Sequence, residues 1–217
     1  RGDMLAHIVS LKKNIVITGS HGKTTTTSLI SSILYASKFD ATVINGGVIN
    51  QFQNSAKLGK SEWSVLESDE SDGSFLKIPI TYSVVTNIDK EHLDFYKKFS
   101  NLLKSFKKFI EKTPPFGKSF ICLDDINNQG LIKKLSIKNF QTYGFNKKSN
   151  FSIILKKKNF NFSKFDLKIK ILGKKNKLLK NFQIPLLGDH NIKNATAAIA
   201  IALTIGIDIA HIKNGLK

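Results

Sequence analysis

The sequence predicts an α/β fold in which helices flank a mainly parallel sheet, with a small antiparallel β subsheet near residues 150–187. Two patterns carry this prediction. Short apolar runs rich in β-branched residues alternate with helical stretches, and this alternation is typical of βαβ units. From about residue 150 the pattern changes to alternating apolar and polar residues without a helical period. Such alternation is typical of an antiparallel sheet with one solvated face.

The parallel part begins with the run NIVITG at 14–19, which ends in glycine, followed by a predicted helix from Lys23 to Ala36 with apolar residues at helical spacing. Later short apolar runs predict further strands, at 41–46, 63–68, 82–89, 119–124 and 140–145. Helical stretches between them are predicted at 101–112 and 128–136.

The last third of the chain combines the antiparallel region with two helices. GKKNK at 173–177 is the predicted turn within the antiparallel region. The segment 191–206 is alanine-rich and apolar on nearly every side, so we expect a buried helix. Residues 208–217 are predicted to form a capped final helix.

The amino-acid composition narrows the binding partners and the cellular compartment that we expect for this chain. The formal net charge of +18 suggests nucleic-acid binding, but Arg1 is the only arginine, and arginine is the better reader of bases and phosphates. We therefore attribute the charge to a lysine-favouring composition and expect no nucleic-acid partner. The single cysteine, Cys122, lies in an apolar run, which predicts a buried thiol in a reducing, cytoplasmic setting. No apolar run approaches the length of a membrane span, so no membrane partner is expected.

The string GSHGKTTTT follows the first predicted strand and opens the first predicted helix. Gly19 and Gly22 allow a phosphate to approach the backbone, Lys23 can reach the outer phosphates, and the Thr24 hydroxyl can bind Mg²⁺. The alternative is an ordinary glycine turn before a helix. The order of these residues after a strand favours a phosphate-binding (P-loop) fold, although only two residues separate the glycines instead of the usual four.

Acidic residues follow the predicted strand at 63–68. Glu67 lies nearest to the strand end and is the best candidate for holding Mg²⁺, since ligands bind at the carboxyl ends of parallel strands. We expect Asp69, Glu70 and Asp72 to form a solvated acidic loop.

The run at 82–89 is followed by a second group of polar residues, Asp89, His92 and Asp94. His92 is a candidate metal or phosphate ligand, and a structural histidine is the alternative.

Four strings together, GSHGKTTTT, ESDESDGSF, TNIDKEHLDFY and GDHNIKNATAAIA, resemble the central ATP-binding domain of the Mur ligases. Within that family they are closest to the members that join L-alanine to UDP-N-acetylmuramate. Ser20 and Ser68 replace the threonine and alanine usual in those members. The family's phosphate loop has the short glycine spacing seen here.

The resemblance implies that 1–217 is a single central domain. DMLAHIV resembles the segment through which the chain enters this domain, so 1–12 is the expected entry segment. In the family a preceding domain binds the UDP-sugar and a following domain completes the amino-acid site. We expect both to be absent from these 217 residues. The chain alone should then bind nucleotide weakly and should not catalyse ligation.

The implied reaction is ATP-dependent amide formation in peptidoglycan precursor synthesis. The substrate carboxylate attacks the γ-phosphate of ATP to give an acyl phosphate and ADP, and an amine then displaces phosphate. The implied substrates are UDP-N-acetylmuramate and L-alanine, and the implied cofactors are ATP and Mg²⁺. Lys23, Glu67 and His92 are the implied catalytic residues. Thr24 and Glu67 would hold one Mg²⁺, and His92 would hold a second.

The resemblance also implies a nucleotide site. Asn191 and Asn194 would bind adenine, because their amides both donate and accept hydrogen bonds; without the family, such a pair indicates helix capping. His190 is compatible with either role. The implied nucleotide-binding residues are Gly19, Ser20, His21, Gly22, Lys23, Thr24, Thr25, His190, Asn191 and Asn194.

Other functions remain open at this stage. A ligase that recycles a muropeptide tripeptide and a folylpolyglutamate synthase share the implied chemistry. A basic nucleic-acid-binding module is the alternative from another class. The sequence does not indicate an oligomeric state, and no lysine can be singled out as the carboxylated magnesium ligand that some relatives use.

Overall fold

The computed structural model describes residues 2–49, 53–173 and 175–217. Within them the helices are α1 (Gly2–Ile8), α2 (Lys23–Ala36), a short 3-10 helix (Ser74–Lys77), α3 (Leu93–Tyr96), α4 (Phe99–Glu111), α5 (Ile126–Ile132), α6 (Asp189–Thr204) and α7 (Ile209–Gly215). The strands are β1 (Lys13–Thr18), β2 (Thr42–Ile49), β3 (Asn54–Lys57), β4 (Trp63–Glu67), β5 (Tyr82–Val85), β6 (Lys118–Cys122), β7 (Phe140–Gly144), β8 (Phe151–Lys158), β9 (Ser163–Ile169) and β10 (Lys177–Ile184).

All ten strands belong to one sheet, in the order β10-β9-β8-β7-β6-β5-β1-β4-β2-β3. β1 lies between β4 and β5 and is parallel to both, with Ile15 opposite Val65 on one side and Tyr82 on the other. A central parallel strand is covered on both faces, so a continuous apolar run is the expected sequence. The glycine loop therefore leaves the carboxyl end of a strand in the middle of the sheet.

Helices cover both faces of the parallel part. Ile15 and Ile17 of β1 belong to the apolar layer that includes α2 and α6, whereas Val16 belongs to the opposite layer with α4. The alternation follows from the two-residue period of a strand. The fold class predicted from the sequence is confirmed.

The antiparallel strands β8, β9 and β10 extend the main sheet and do not form a separate one. β8 is parallel to β7, with Tyr143 opposite Phe151, and β9 then runs antiparallel to both of its neighbours. The predicted turn at 173–177 includes Lys174, which lies outside the described residues.

Some predicted boundaries are confirmed and others are shifted: the helix predicted at 128–136 is Ile126–Ile132, and the helix predicted at 101–112 is Phe99–Glu111. α2 spans the predicted residues, α6 is buried from Asn194 to Ala202, and the Asp208 carboxylate caps α7. The strand predicted at 82–89 ends at Val85, and the side chains of the next two residues, Thr86 and Asn87, bind the backbone of His21 in the glycine loop. None of the described helices is long and apolar enough to cross a lipid bilayer.

Candidate active site

The loop between β1 and α2 has a backbone that glycine alone fits at two positions. Gly19 has φ +129° and Gly22 has φ +84°, values that L side chains rarely adopt. A Cβ at Gly19 would lie 2.2 Å from Thr86 Oγ1, and one at Gly22 would lie 2.7 Å from Asn194 Oδ1. The loop is therefore packed closely against both the β5 side and the start of α6.

The segment after β5 holds this loop in place. Asn87 O accepts from Ser20 N at 3.0 Å, and the Asn87 side chain binds both backbone groups of His21, at 2.8 Å to the N–H and 2.9 Å to the carbonyl. Asp89 N donates to Ser20 Oγ at 2.8 Å, and the Asp89 carboxylate lies 3.1 Å from His21 Nε2. The loop conformation is thus fixed by hydrogen bonds within the chain.

Lys23, the first residue of α2, points back across the loop. Its Nζ donates to Gly19 O at 2.8 Å and to Glu70 Oε2 at 3.0 Å. Glu70 is 1% exposed, so the expectation that it belongs to a solvated acidic loop is wrong. A carboxylate is buried only when it is paired, and its partner here is Lys23, 47 residues earlier in the chain. Asp69 and Asp72 are exposed, as predicted.

Thr24 and Glu67 are in direct contact. Thr24 Oγ1 donates to Glu67 Oε1 at 3.1 Å, and Glu67 Oε2 accepts from Gly46 N at 2.7 Å. The contact lies where β4 ends and α2 begins, and both side chains offer oxygen atoms. A hydroxyl beside a carboxylate is a donor set that suits Mg²⁺.

His92 lies in a second group of candidate ligands. Its ligand atom and those of Asp69 and Glu70 all lie within 4.8 Å of one another, with His92 Nε2 3.9 Å from Glu70 Oε1. His92 has φ +57°, an uncommon conformation for a residue with a side chain. The structure therefore places Lys23 and His92 on opposite oxygens of the same carboxylate.

A cavity of about 480 Å³ lies beside the glycine loop at the start of α6. It brings together four of the residues predicted to bind nucleotide, namely His21, Gly22, His190 and Asn194. Asn191 is not among the lining residues; its Nδ2 donates to Leu187 O at 2.7 Å and its Oδ1 accepts from Asn194 at 3.4 Å. Thr25 lines a different cavity, together with residues of β2 and the end of the chain.

Five lining residues were not among the predicted site residues: Thr86, Asn87, Cys122, Tyr143 and Lys193. Cys122 and Tyr143 belong to strands read only as core, and Lys193 is one of many lysines. Burial raises the pKa of the Cys122 thiol to about 11 and raises that of Tyr143 well above its usual value. Both groups are therefore neutral at pH 7, which gives the cavity an uncharged wall on the β6–β7 side.

Residues 17–202 match the family model described as the Mur ligase middle domain. This chain belongs to the Mur ligase family. Among curated Mur ligases, it is 60% identical over 217 residues to the UDP-N-acetylmuramate–L-alanine ligase of Pelagibacter ubique (strain HTCC1062), covering 100% of this chain and 47% of that protein. The enzyme of the same name from Bartonella quintana (strain Toulouse) is 43% identical, with 46% of its length covered.

Solved Mur ligases share the fold. The UDP-N-acetylmuramate-alanine ligase of Thermotoga maritima superposes with a TM-score of 0.82 at 24% identity, covering 99% of this chain and 46% of that one. A UDP-N-acetylmuramate:L-alanyl-γ-D-glutamyl-meso-diaminopimelate ligase from Neisseria meningitides also superposes with a TM-score of 0.82. It is 22% identical, and the match covers 99% of this chain and 68% of that one. The chain spans about half the length of the curated relatives it matches.

Proposed function

We propose that the chain is the nucleotide-binding domain of an ATP-dependent ligase that joins L-alanine to UDP-N-acetylmuramate through an acyl phosphate. The Pelagibacter relative, a UDP-N-acetylmuramate–L-alanine ligase 60% identical over the whole chain, supports the choice of substrates. In this proposal 1–217 is one central domain, 1–12 is its entry segment, and further domains bind the UDP-sugar and complete the amino-acid site. The reaction takes place in the cytoplasm.

One observation carries the nucleotide site. Lys23 and Thr24 come from one motif and Glu67 from another, 43 residues further along the chain, and all three lie at the carboxyl ends of β1 and β4. In open α/β sheets this edge is where ligands bind. The backbone amides of 19–25 and the start of α2 add positive potential for phosphates.

Each residue then has a physical task. Lys23 neutralises charge on the transferring phosphoryl group, which is the main contribution of a protein to this chemistry. Thr24 and Glu67 would hold one Mg²⁺, and His92 would hold a second. When bound, Mg²⁺ supplies charge neutralisation that orients the two reactants.

The cavity at the start of α6 is the proposed adenine site. Asn194 lines it and packs against Gly22, so the base and the phosphates would lie on either side of that contact. His190 and His21 form part of the same wall. Asn191 acts through Asn194 in this arrangement, because its Oδ1 accepts from the Asn194 amide.

The test is calorimetric titration of the 217-residue chain with a non-hydrolysable ATP analogue, with and without Mg²⁺, beside a GTP analogue. We expect magnesium-dependent binding that prefers adenine. Lys23→Ala should abolish it, whereas Lys134→Ala, an exposed lysine on the loop after α5, should not. Asn194→Ala should reduce the preference for adenine over guanine. Equal binding of Lys23→Ala and the wild type would contradict the phosphate-site assignment.

Substrate choice needs a second assay, on the protein extended to the length of its relatives. Phosphate release driven by UDP-N-acetylmuramate together with L-alanine is the expected result. Release driven instead by a tripeptide, or by a folate with glutamate, would identify one of the other ligase activities. Salt-sensitive binding of RNA or DNA that exceeds binding of Mg·ATP would favour the nucleic-acid alternative.

A further inference from the structure

Glu70 combines full burial with incomplete pairing. Its Oε2 accepts from Lys23 Nζ at 3.0 Å, but its Oε1 is buried and has no hydrogen-bond partner among the residues the structure describes. His92 Nε2 lies 3.9 Å from that oxygen. A buried carboxylate oxygen without a partner is costly, so its retention beside the phosphate loop calls for an explanation.

Two hydrogen bonds to its carbonyl oxygen hold the backbone of Glu70. The Tyr96 hydroxyl donates to Glu70 O, and Gly73 N donates to the same carbonyl at 3.2 Å. Burial, together with the nearby Glu70 charge, raises the pKa of Tyr96 to about 12, so the hydroxyl stays a donor at neutral pH. Tyr96 of α3 therefore fixes the backbone of Glu70, and Lys23 of α2 binds its carboxylate.

Lys23 is restrained by two contacts and keeps one donor free. An ammonium group has three N–H donors, and Gly19 O and Glu70 Oε2 occupy two of them. The side chain is 14% exposed, so the free donor has only a small opening toward solvent. Buried ion pairs contribute little net stability, which makes a purely stabilising role a weak explanation for this pair.

We propose that Glu70 is a positioning residue, which holds Lys23 on the glycine loop and faces His92 with its second oxygen, so that both side chains are in place before nucleotide binds. This inference rests on the proposed nucleotide site. The arrangement has an electrostatic consequence. A negative charge beside the phosphate position offsets the charge of Lys23, so it lowers the affinity for nucleotide that carries no Mg²⁺.

The first measurement needs no nucleotide. Acetylation of lysines with a limiting amount of acetic anhydride, quantified by mass spectrometry, reports how accessible Lys23 Nζ is. In Glu70→Gln we expect its labelling rate to rise at least about threefold, because the charged partner that restrains it is lost. Glu62→Gln is the matched control: it removes the same charge from an exposed pair with Lys13 at 2.7 Å and should release Lys13 but leave Lys23 unchanged.

The second measurement is titration of the same variants with the ATP analogue. Glu70→Gln should bind the Mg²⁺-free analogue about fivefold more tightly, the size expected for removing one repulsive charge at intermediate dielectric. Glu70→Asp keeps the negative charge but moves it one methylene further from Lys23. Lys23 should therefore be acetylated faster in this variant, without the gain in affinity for the Mg²⁺-free analogue. Glu62→Gln should match the wild type in both affinities.

The outcomes separate this inference from the proposed function. Unchanged labelling of Lys23 in Glu70→Gln overturns the positioning role, and so does faster labelling with an unchanged affinity for the Mg²⁺-free analogue. Faster labelling in a chain whose folded wild type binds no nucleotide overturns the proposed nucleotide site and leaves the restraint of Lys23 standing.

A further pair of variants keeps the test decisive if Glu70→Gln does not fold. Lys23→Met leaves both Glu70 oxygens buried and unpaired, so it should lower the melting temperature. Adding Glu70→Gln to Lys23→Met should recover part of that loss, because the unpaired charge is removed. A double variant that melts no higher than Lys23→Met would show that the two side chains are not coupled.

Discussion

Replacing Gly19 by alanine tests whether the glycine loop has the backbone described above. Gly19 has φ +129°, a conformation that costs a residue with a Cβ about 1–2 kcal/mol. The added Cβ would also lie 2.8 Å from Asn87 O and 3.0 Å from Asn87 N. These are backbone atoms that cannot rotate away, and overpacking of this kind costs about 1–3 kcal/mol.

The two costs together predict a loss of about 3 kcal/mol in the free energy of unfolding, or roughly 6–12 °C in melting temperature for a chain of this size. Urea and thermal unfolding followed by circular dichroism measure both. Gly130→Ala is the control, because Gly130 is exposed in α5 and a Cβ there meets nothing within 4 Å. It should stabilise the chain by about 0.5–1 kcal/mol. A Gly19→Ala variant within about 0.5 kcal/mol of the wild type would refute the reasoning.

Three other predictions concern the scaffold around the site. Asp208→Ala removes a carboxylate that accepts from two backbone N–H groups at the start of α7, and chemical denaturation should show a loss of about 1 kcal/mol. Phe106→Ala leaves a cavity beside Phe75, whose ring centroid is 5.5 Å away, and should cost about 3–5 kcal/mol. The raised pKa of Cys122, about 11, leaves little thiolate at pH 8, so alkylation by iodoacetamide should be more than about tenfold slower than in the urea-unfolded chain; equal rates would contradict the burial.

The parallel core could be predicted from the sequence because each of its signals is local. β1 is a continuous apolar run and α2 has apolar residues at helical spacing, and both were placed within one residue of their observed ends. By contrast, α1 has no buried residues, so it leaves no amphipathic pattern to detect. β3 has the sequence NSAK, and its edge position gives it no apolar signal either.

The site was predictable only in part, because some of its residues are brought together by the fold and not by the local sequence. Lys23, Thr24 and Glu67 belong to strings whose chemistry can be read in place. Glu70 lies in an acidic run, where solvation is the ordinary expectation, and its burial depends on a lysine brought close by the fold. The cavity wall formed by Tyr143 depends in the same way on the neighbouring strands and on α6.

The hydrogen bonds from Asn87 to the glycine loop have a consequence for nucleotide recognition. Because the Asn87 side chain already binds both backbone groups of His21, the loop has little conformational entropy left to lose when a ligand arrives. A difference in affinity between two nucleotides would then report the contacts each one makes, since neither has to order the loop first. Association should be limited by diffusion and charge and not by a search among loop conformations.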